Sequence, residues 1–200
     1  MPIFTIGHSN HPLDTFLKLI GDAGVTAIAD VRSVPHSRRF PHFGQKRLIE
    51  ALKGVGVEYI FFGDSLGGRP TDASVWRNGR PDYTRMAQTP RVRGALADVR
   101  GRAAKTWLCL MCSEKEPLDC HRCLMVARTL AQDGADVRHL RADGSAEAHT
   151  DTEERLLTWA GKREGDLLSD VAQRLDAAYD MRADWLWKAG SSKGRAKPSA

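Results

Sequence analysis

All four cysteines of the 200-residue chain fall within the 15 residues CLMCSEKEPLDCHRC, 109–123. Two C-x2-C pairs separated by seven residues are a ligand spacing of zinc and iron–sulfur sites. The surrounding pattern argues against a four-cysteine staple. The run KTWLCLMC (105–112) reads as a strand, and strand residues three apart point to opposite faces. Cys109 and Cys112 then cannot readily grip one ion. Cys123 continues into Ala127 and Leu130, an apolar helical stripe. Cys109 and Cys123 therefore read as small core hydrophobes, and no metal is assigned.

Cys112 and Cys120 differ from these. Cys112 ends its strand, and Cys120 falls in the first turn of a helix announced by Pro117 and Asp119. A helix start favours a thiolate, and its free N–H groups can hold an anion. Four readings stay open for the pair: inert buried thiols, a nucleophile, a redox couple, or part of a metal site with His8 or His121. Glu114 stands two residues past the strand end. It is either a solvated charge or a group that accepts a proton or holds a sugar hydroxyl.

These residues need elements to position them. Strand patterns recur at 2–7, 25–31, 57–62, 105–112 and 135–141. Helical periodicity lies between them: Leu13, Phe16, Leu17 and Ile20 share one face, as do Leu48, Ile49 and Leu52. Residues 84–103 read as helix interrupted near Pro90, and 120–134 as helix stopped by Gly134. The stretch 63–83 shows no core period and reads as a long loop. The expected fold is α/β: an open, mostly parallel, twisted sheet of about five strands flanked by helices, with a C-terminal helical extension. The expected division is a core at 1–143, a packed helical segment at 144–187 and a disordered basic tail at 188–200.

In such sheets ligands bind beyond the carboxyl ends of the strands, and the polar residues gather there. His8 and Ser9 follow strand one, with Ser9 or Asn10 available to cap the next helix. Asp30 closes strand two, where it is either a ligand group, a partner for Arg32 across the loop or a buttress for His8. Then comes RSVPHSRRFPHF (32–43), with three arginines, two histidines and two serines. Arg32 and Arg38 suit bidentate phosphate or carboxylate contact, and Ser37 lies between them. Gly67, Gly68 and Arg69 follow strand three, and Cys112 to Arg122 follow strand four.

The blocks TIGHS (5–9), DVRSVPHSR (30–38), LGG (66–68) and CSEKEPLDCHR (112–122) resemble the signature blocks of the domain of unknown function 488 family. The resemblance implies a compact α/β domain and no known reaction. It carries over to His8 and Ser9; to Asp30, Arg32, Pro35, Ser37 and Arg38; and to Cys112, Glu114, Pro117, Cys120, His121 and Arg122. Cys109 and Cys123 stand outside it.

Four of the five net positive charges belong to the last 13 residues, so a whole-domain nucleic-acid footprint is not indicated. No 18-residue apolar run and no signal-like opening is present. The chain is therefore expected to be cytoplasmic and to have no membrane partner. The expected function is a small enzyme for an anionic substrate, phosphate-bearing and derived from a nucleotide or nucleic acid. Cys112 or Cys120 would be the nucleophile; Glu114, His8 and His121 would be acid/base groups; and Ser9, Asp30, Arg32, Ser37, Arg38 and Arg122 would line the anion site. The alternatives are a non-catalytic nucleic-acid-binding module, or a metal or redox site built from Cys112, Cys120 and a histidine. Neither a cofactor nor an oligomeric state can be read from the chain.

Overall fold

A computed structural model describes residues 1–163 and 170–191. In chain order the elements are β1 (Ile3–Gly7), α1 (Leu13–Asp22), β2 (Ala27–Asp30), α2 (Gln45–Gly54), β3 (Glu58–Phe61), α3 (Gly63–Leu66), β4 (Trp76–Arg77), β5 (Arg80–Pro81), α4 (Tyr83–Ala87), α5 (Pro90–Ala103), β6 (Leu108–Cys112), α6 (Arg128–Gln132), β7 (Val137–Leu140), β8 (Ala146–Ala148), α7 (His149–Trp159) and α8 (Val171–Ser191). A 3-10 turn, Pro117–Asp119, and a π-helical segment, Arg122–Ala127, lead from β6 into α6.

The main sheet has the order β3-β2-β6-β1-β7-β8 among the described residues. Every pairing is parallel except that of β8 with β7. The expected α/β class and the five main strands stand. The short antiparallel β8 is an addition beyond residue 143, where only helices are expected. Three residues are too few to show a period of two.

The sheet is covered on both faces. Phe16 and Ile20 of α1 and Leu48 and Leu52 of α2 pack on Phe4, Ile6, Ile28, Cys109 and Met111. Val92, Leu96 and Val99 of α5 pack with Met125, Val126 and Leu130 on Ile3, Ala27, Ala29, Leu108, Leu110 and Cys112. Cys109 and Cys112 thus lie on opposite faces, as strand alternation requires. Cys123 belongs to a third cluster with Leu118, Leu156, Leu157 and Tyr179 of α7, α8 and the turn before Cys120.

The stretch 63–83 holds more structure than a loop. It contains α3 and a two-stranded ribbon, β4 with β5, turned at Asn78 and Gly79, both with positive φ. Asn-Gly is the dipeptide such a turn prefers, but two-residue strands leave no pattern to flank it. The expected interruption near Pro90 is real: Thr89 caps α5 by accepting from the Val92 N–H, with Pro90 in the first turn. Lys188 belongs to the last turn of α8; the basic tail lies outside the described residues from 192 onward. Among the described residues no helix is long and apolar enough to cross a membrane.

Candidate functional site

Neighbouring strands β1 and β6 lead to opposite faces of the sheet. β1 runs into α1 on one face, and β6 runs into the 122–132 helical segment on the other. Such a divergence opens a crevice at the carboxyl ends of the strands. β2, on the far side of β6, ends beside it.

The β2 end carries a closed polar cluster. Asp30 is fully buried and Arg32 is 3% exposed. Arg32 grips Asp30 through Nε (2.9 and 3.1 Å) and Nη2 (2.6 Å), and its backbone N–H also donates to Asp30. The Tyr59 hydroxyl donates to the same carboxylate at 2.8 Å. Arg32 Nη1 donates to the Phe43 carbonyl at 2.8 Å and meets His8 Nε2 at 3.3 Å. His8 stacks on Phe43 with ring centroids 4.3 Å apart. Its Nδ1 lies 3.0 Å from the Ser9 carbonyl, so the proton sits on Nδ1 and Nε2 accepts from Arg32. Burial first, and then the Arg32 charge, push the His8 pKa down to about 4. The ring is neutral at neutral pH, with both nitrogens engaged.

The β6 end carries an open cluster. Cys112 Sγ donates to Glu114 Oε2 at 3.3 Å and lies 3.7 Å from His121 Nδ1. Cys120 Sγ lies 4.0 Å from the same nitrogen and accepts the Arg122 backbone N–H at 3.4 Å. His121 Nε2 donates to the Val31 carbonyl at 2.9 Å, leaving Nδ1 to face both sulfurs. Burial raises the Cys112 thiol well above its ordinary pKa, and the neighbouring Cys120 charge adds to this. Burial also opposes ionisation of Cys120, but hydrogen bonding from Cys112, the Arg122 charge and His121 outweigh it and lower this thiol well below its ordinary range. The two thiols are thus driven apart, Cys112 toward the protonated form and Cys120 toward the thiolate. Burial, then the Cys120 charge, lifts Glu114 to about 7. Burial lowers the His121 pKa, but Cys120 and Glu114 overcome it and the net shift is upward.

Close approaches hold this cluster in place. Arg122 is completely buried and donates to the Glu114 and Lys115 carbonyls and to Thr5 Oγ1. A Cβ on Gly7 would sit 1.8 Å from the Glu114 carbonyl oxygen, and one on Gly68 would sit 2.5 Å from His121 Cγ. Both positions require glycine for space.

A cavity of about 280 Å³ opens over the β6 cluster. Of the residues singled out from sequence, Arg32, Cys112, Glu114 and His121 reach its wall, together with Ser33, His36 and Arg69. His8 and Asp30 stand behind Arg32, and Cys120 and Arg122 behind Cys112. Ser37 accepts the Phe40 N–H at 3.0 Å, and exposed Arg38 is not among the lining residues. Ser9 is no helix cap: α1 begins after Pro12 without a side-chain cap. Ser9 instead adopts a left-handed turn (φ 47°) and donates its N–H to the Ser113 carbonyl, tying the β1 and β6 ends together.

The opposite wall comes from Tyr83 and from Leu186 and Trp187 of α8. No block pointed to these residues: Tyr83 ends the stretch read as a long loop, and Leu186 and Trp187 fall in the C-terminal helical segment, outside every block. Acidic residues of α8 hold it down: Asp176 pairs with Arg128, Asp180 with Arg77 and Asp184 with Arg80, while Arg182 pairs with Asp119.

Cys112, Cys120 and His121 bring their ligand atoms within 4.8 Å of one another, close enough for a soft metal ion with modest adjustment. A family model described as domain of unknown function DUF488 matches residues 12–129. No curated protein matches the chain, and no solved structure matches it.

Proposed function

The chain belongs to the DUF488 family, and from that premise we propose that it is a small thiol-dependent enzyme acting on an anionic, phosphate-bearing substrate. One observation carries the reading: a thiol at the cavity wall, Cys112, touches a carboxylate poised near neutrality and a histidine. Cys112 Sγ attacks an electrophilic centre as its proton passes to Glu114 Oε2, which is half ionised near pH 7. His121 Nδ1–H protonates the leaving group as its bond to that centre breaks; water then attacks the adduct, giving its proton to His121, while Glu114 reprotonates the departing Cys112 sulfur. The anionic part of the substrate sits against Arg69, whose side chain forms no ion pair among the described residues, and His36. Arg32 acts as a positioning residue, since Asp30, Phe43 and His8 already occupy most of its donors.

The test is alkylation of the full chain by iodoacetamide, read by mass spectrometry at each cysteine across pH. Cys112 is expected to react ahead of Cys109 and Cys123. Its rate should rise through about pH 7 in the native protein and lose that inflection in Glu114→Gln. Inorganic phosphate or a nucleoside monophosphate should slow it, and Arg69→Ala should remove the protection. Reaction of Cys112 no faster than Cys109, or no protection by either anion, would sink the proposal.

The proximity of Cys112, Cys120 and His121 also favours a second reading, a metal or redox site in the same crevice. There the two thiols serve as ligands or as a disulfide couple, and stoichiometric metal lost on Cys112→Ser would select it.

A further inference from the structure

A second group of metal-ligating side chains lies outside the thiol crevice. We propose that Cys123, His139 and His149 form a binding site for a zinc-like divalent cation where the π-helical segment, β7 and the start of α7 meet.

Their ligand atoms lie within 4.8 Å of one another. Cys123 and His139 are fully buried and His149 is 3% exposed. His139 Nε2 and His149 Nδ1 face each other at 3.0 Å. A tetrahedral zinc site needs ligand separations of about 3.3–3.7 Å, given Zn–N near 2.0–2.1 Å and Zn–S near 2.3 Å. The three residues come from three elements, and Cys123 is placed by a π-helical segment, a distortion frequent at functional sites. Among the described residues the Cys123 sulfur has no hydrogen-bond partner.

The outer partners fit the same purpose. A metal-bound histidine presents its other N–H to an oxygen, which fixes the ring and its tautomer. His139 Nδ1 lies 2.7 Å from Thr5 Oγ1, and His149 Nε2 lies 3.1 Å from the Tyr179 hydroxyl. That hydroxyl donates to Glu153 Oε1 at 3.0 Å, and the carboxylate itself is 3.5 Å from His149 Nε2. A Cys123 thiolate and the Glu153 carboxylate together balance a divalent charge. His149, Glu153 and Tyr179 also line a cavity of about 360 Å³ that gives a route in. Three protein ligands leave the fourth position for water. The rival arrangement has no cation. In it the same atoms form a one-way hydrogen-bond chain from Arg122 through Thr5, His139, His149 and Tyr179 to Glu153.

Titration of the full chain, purified without chelator or affinity metal, with Co²⁺ and then Zn²⁺ decides between them. The expected result is a thiolate-to-cobalt charge-transfer absorption, saturating at one Co²⁺ per chain and displaced by Zn²⁺. Cys123→Ser should abolish it, while Cys112→Ser and Cys120→Ser should leave it. His149→Gln, at a helix start, serves if Cys123→Ser does not fold, and should weaken Co²⁺ binding at least about tenfold. Absence of the absorption overturns the proposal, as does unchanged affinity in His149→Gln. Absorption that needs Cys112 or Cys120 also overturns it, by placing the metal in the thiol crevice.

Discussion

Asp30 and Glu114 are carboxylates at the ends of paired strands, Asp30 closing β2 and Glu114 just past β6. Asp30 accepts from a guanidinium, a backbone N–H and a phenol. Glu114 accepts from one thiol, with the second sulfur beyond it. The first cluster has a donor for each acceptor and one sensible arrangement of protons. The second has two sulfurs, a carboxylate and an imidazole sharing fewer protons than they could hold. Burial does not separate the two clusters, since both are interior. The matching of protons to partners does.

The largest break in this contrast should come at the matched cluster. Asp30→Ala leaves Arg32 charged, buried and unpaired, which costs about 3–5 kcal/mol; urea unfolding at neutral pH measures it. A loss below about 1 kcal/mol would show that water reaches Arg32 and that the cluster is not closed.

A smaller effect, with a pH signature, belongs to the unmatched cluster. Glu114 has its pKa raised from 4.5 to about 7 in the folded chain. Between those values the unfolded state binds fewer protons, so this group's contribution falls as pH rises from about 4.5 through about 7. His8 runs the other way: its pKa is lowered from 6.5 to about 4, so its contribution is lost as pH falls from about 6.5 through about 4. Glu114→Gln removes only the first trend. Unfolding free energies at pH 5 and pH 8 should show the variant gaining on the parent chain by on the order of 2 kcal/mol at the higher pH. A constant difference would mean Glu114 titrates normally.

Tyr59→Phe is the mildest. It removes one of several donors to Asp30 and should cost about 1 kcal/mol, with no change in the Cys112 alkylation profile. A shifted profile would show that the two clusters are coupled.

Much of this was legible in the chain. The period of two in WLCLMC placed Cys109 and Cys112 on opposite faces, and strand–helix alternation gave the sheet and the crevice. The sequence offered Asp30 both as a ligand group and as a partner for Arg32 or a buttress for His8, without deciding between them. Side-chain partners depend on three-dimensional reach, and the Tyr59, Phe43 and His8 contacts come from three other segments. Tyr83 and Trp187 escaped notice as well. Tyr83 ended a stretch read as loop, and Trp187 lay in a helical segment that no motif tied to the strand ends; that both face one cavity is a tertiary fact. Gly7 and Gly68 were visible only as motif letters; their reason, a carbonyl and an imidazole where a Cβ would be, is tertiary.

The attachment of α8 has a dynamic consequence. Asp180 and Arg77 are both 44% exposed at the side chain, and an ion pair so open to water is worth only tenths of a kcal/mol to about 1, less as salt rises. Asp176 and Asp184 meet the buried Arg128 and Arg80, and Tyr179 and Ala183 of α8 lie in the third core cluster, so the Arg77 pair is the part of this wall that salt can loosen. Raising ionic strength should therefore loosen the pairing of α8 with the β4–β5 ribbon before it disturbs the apolar packing of the helix.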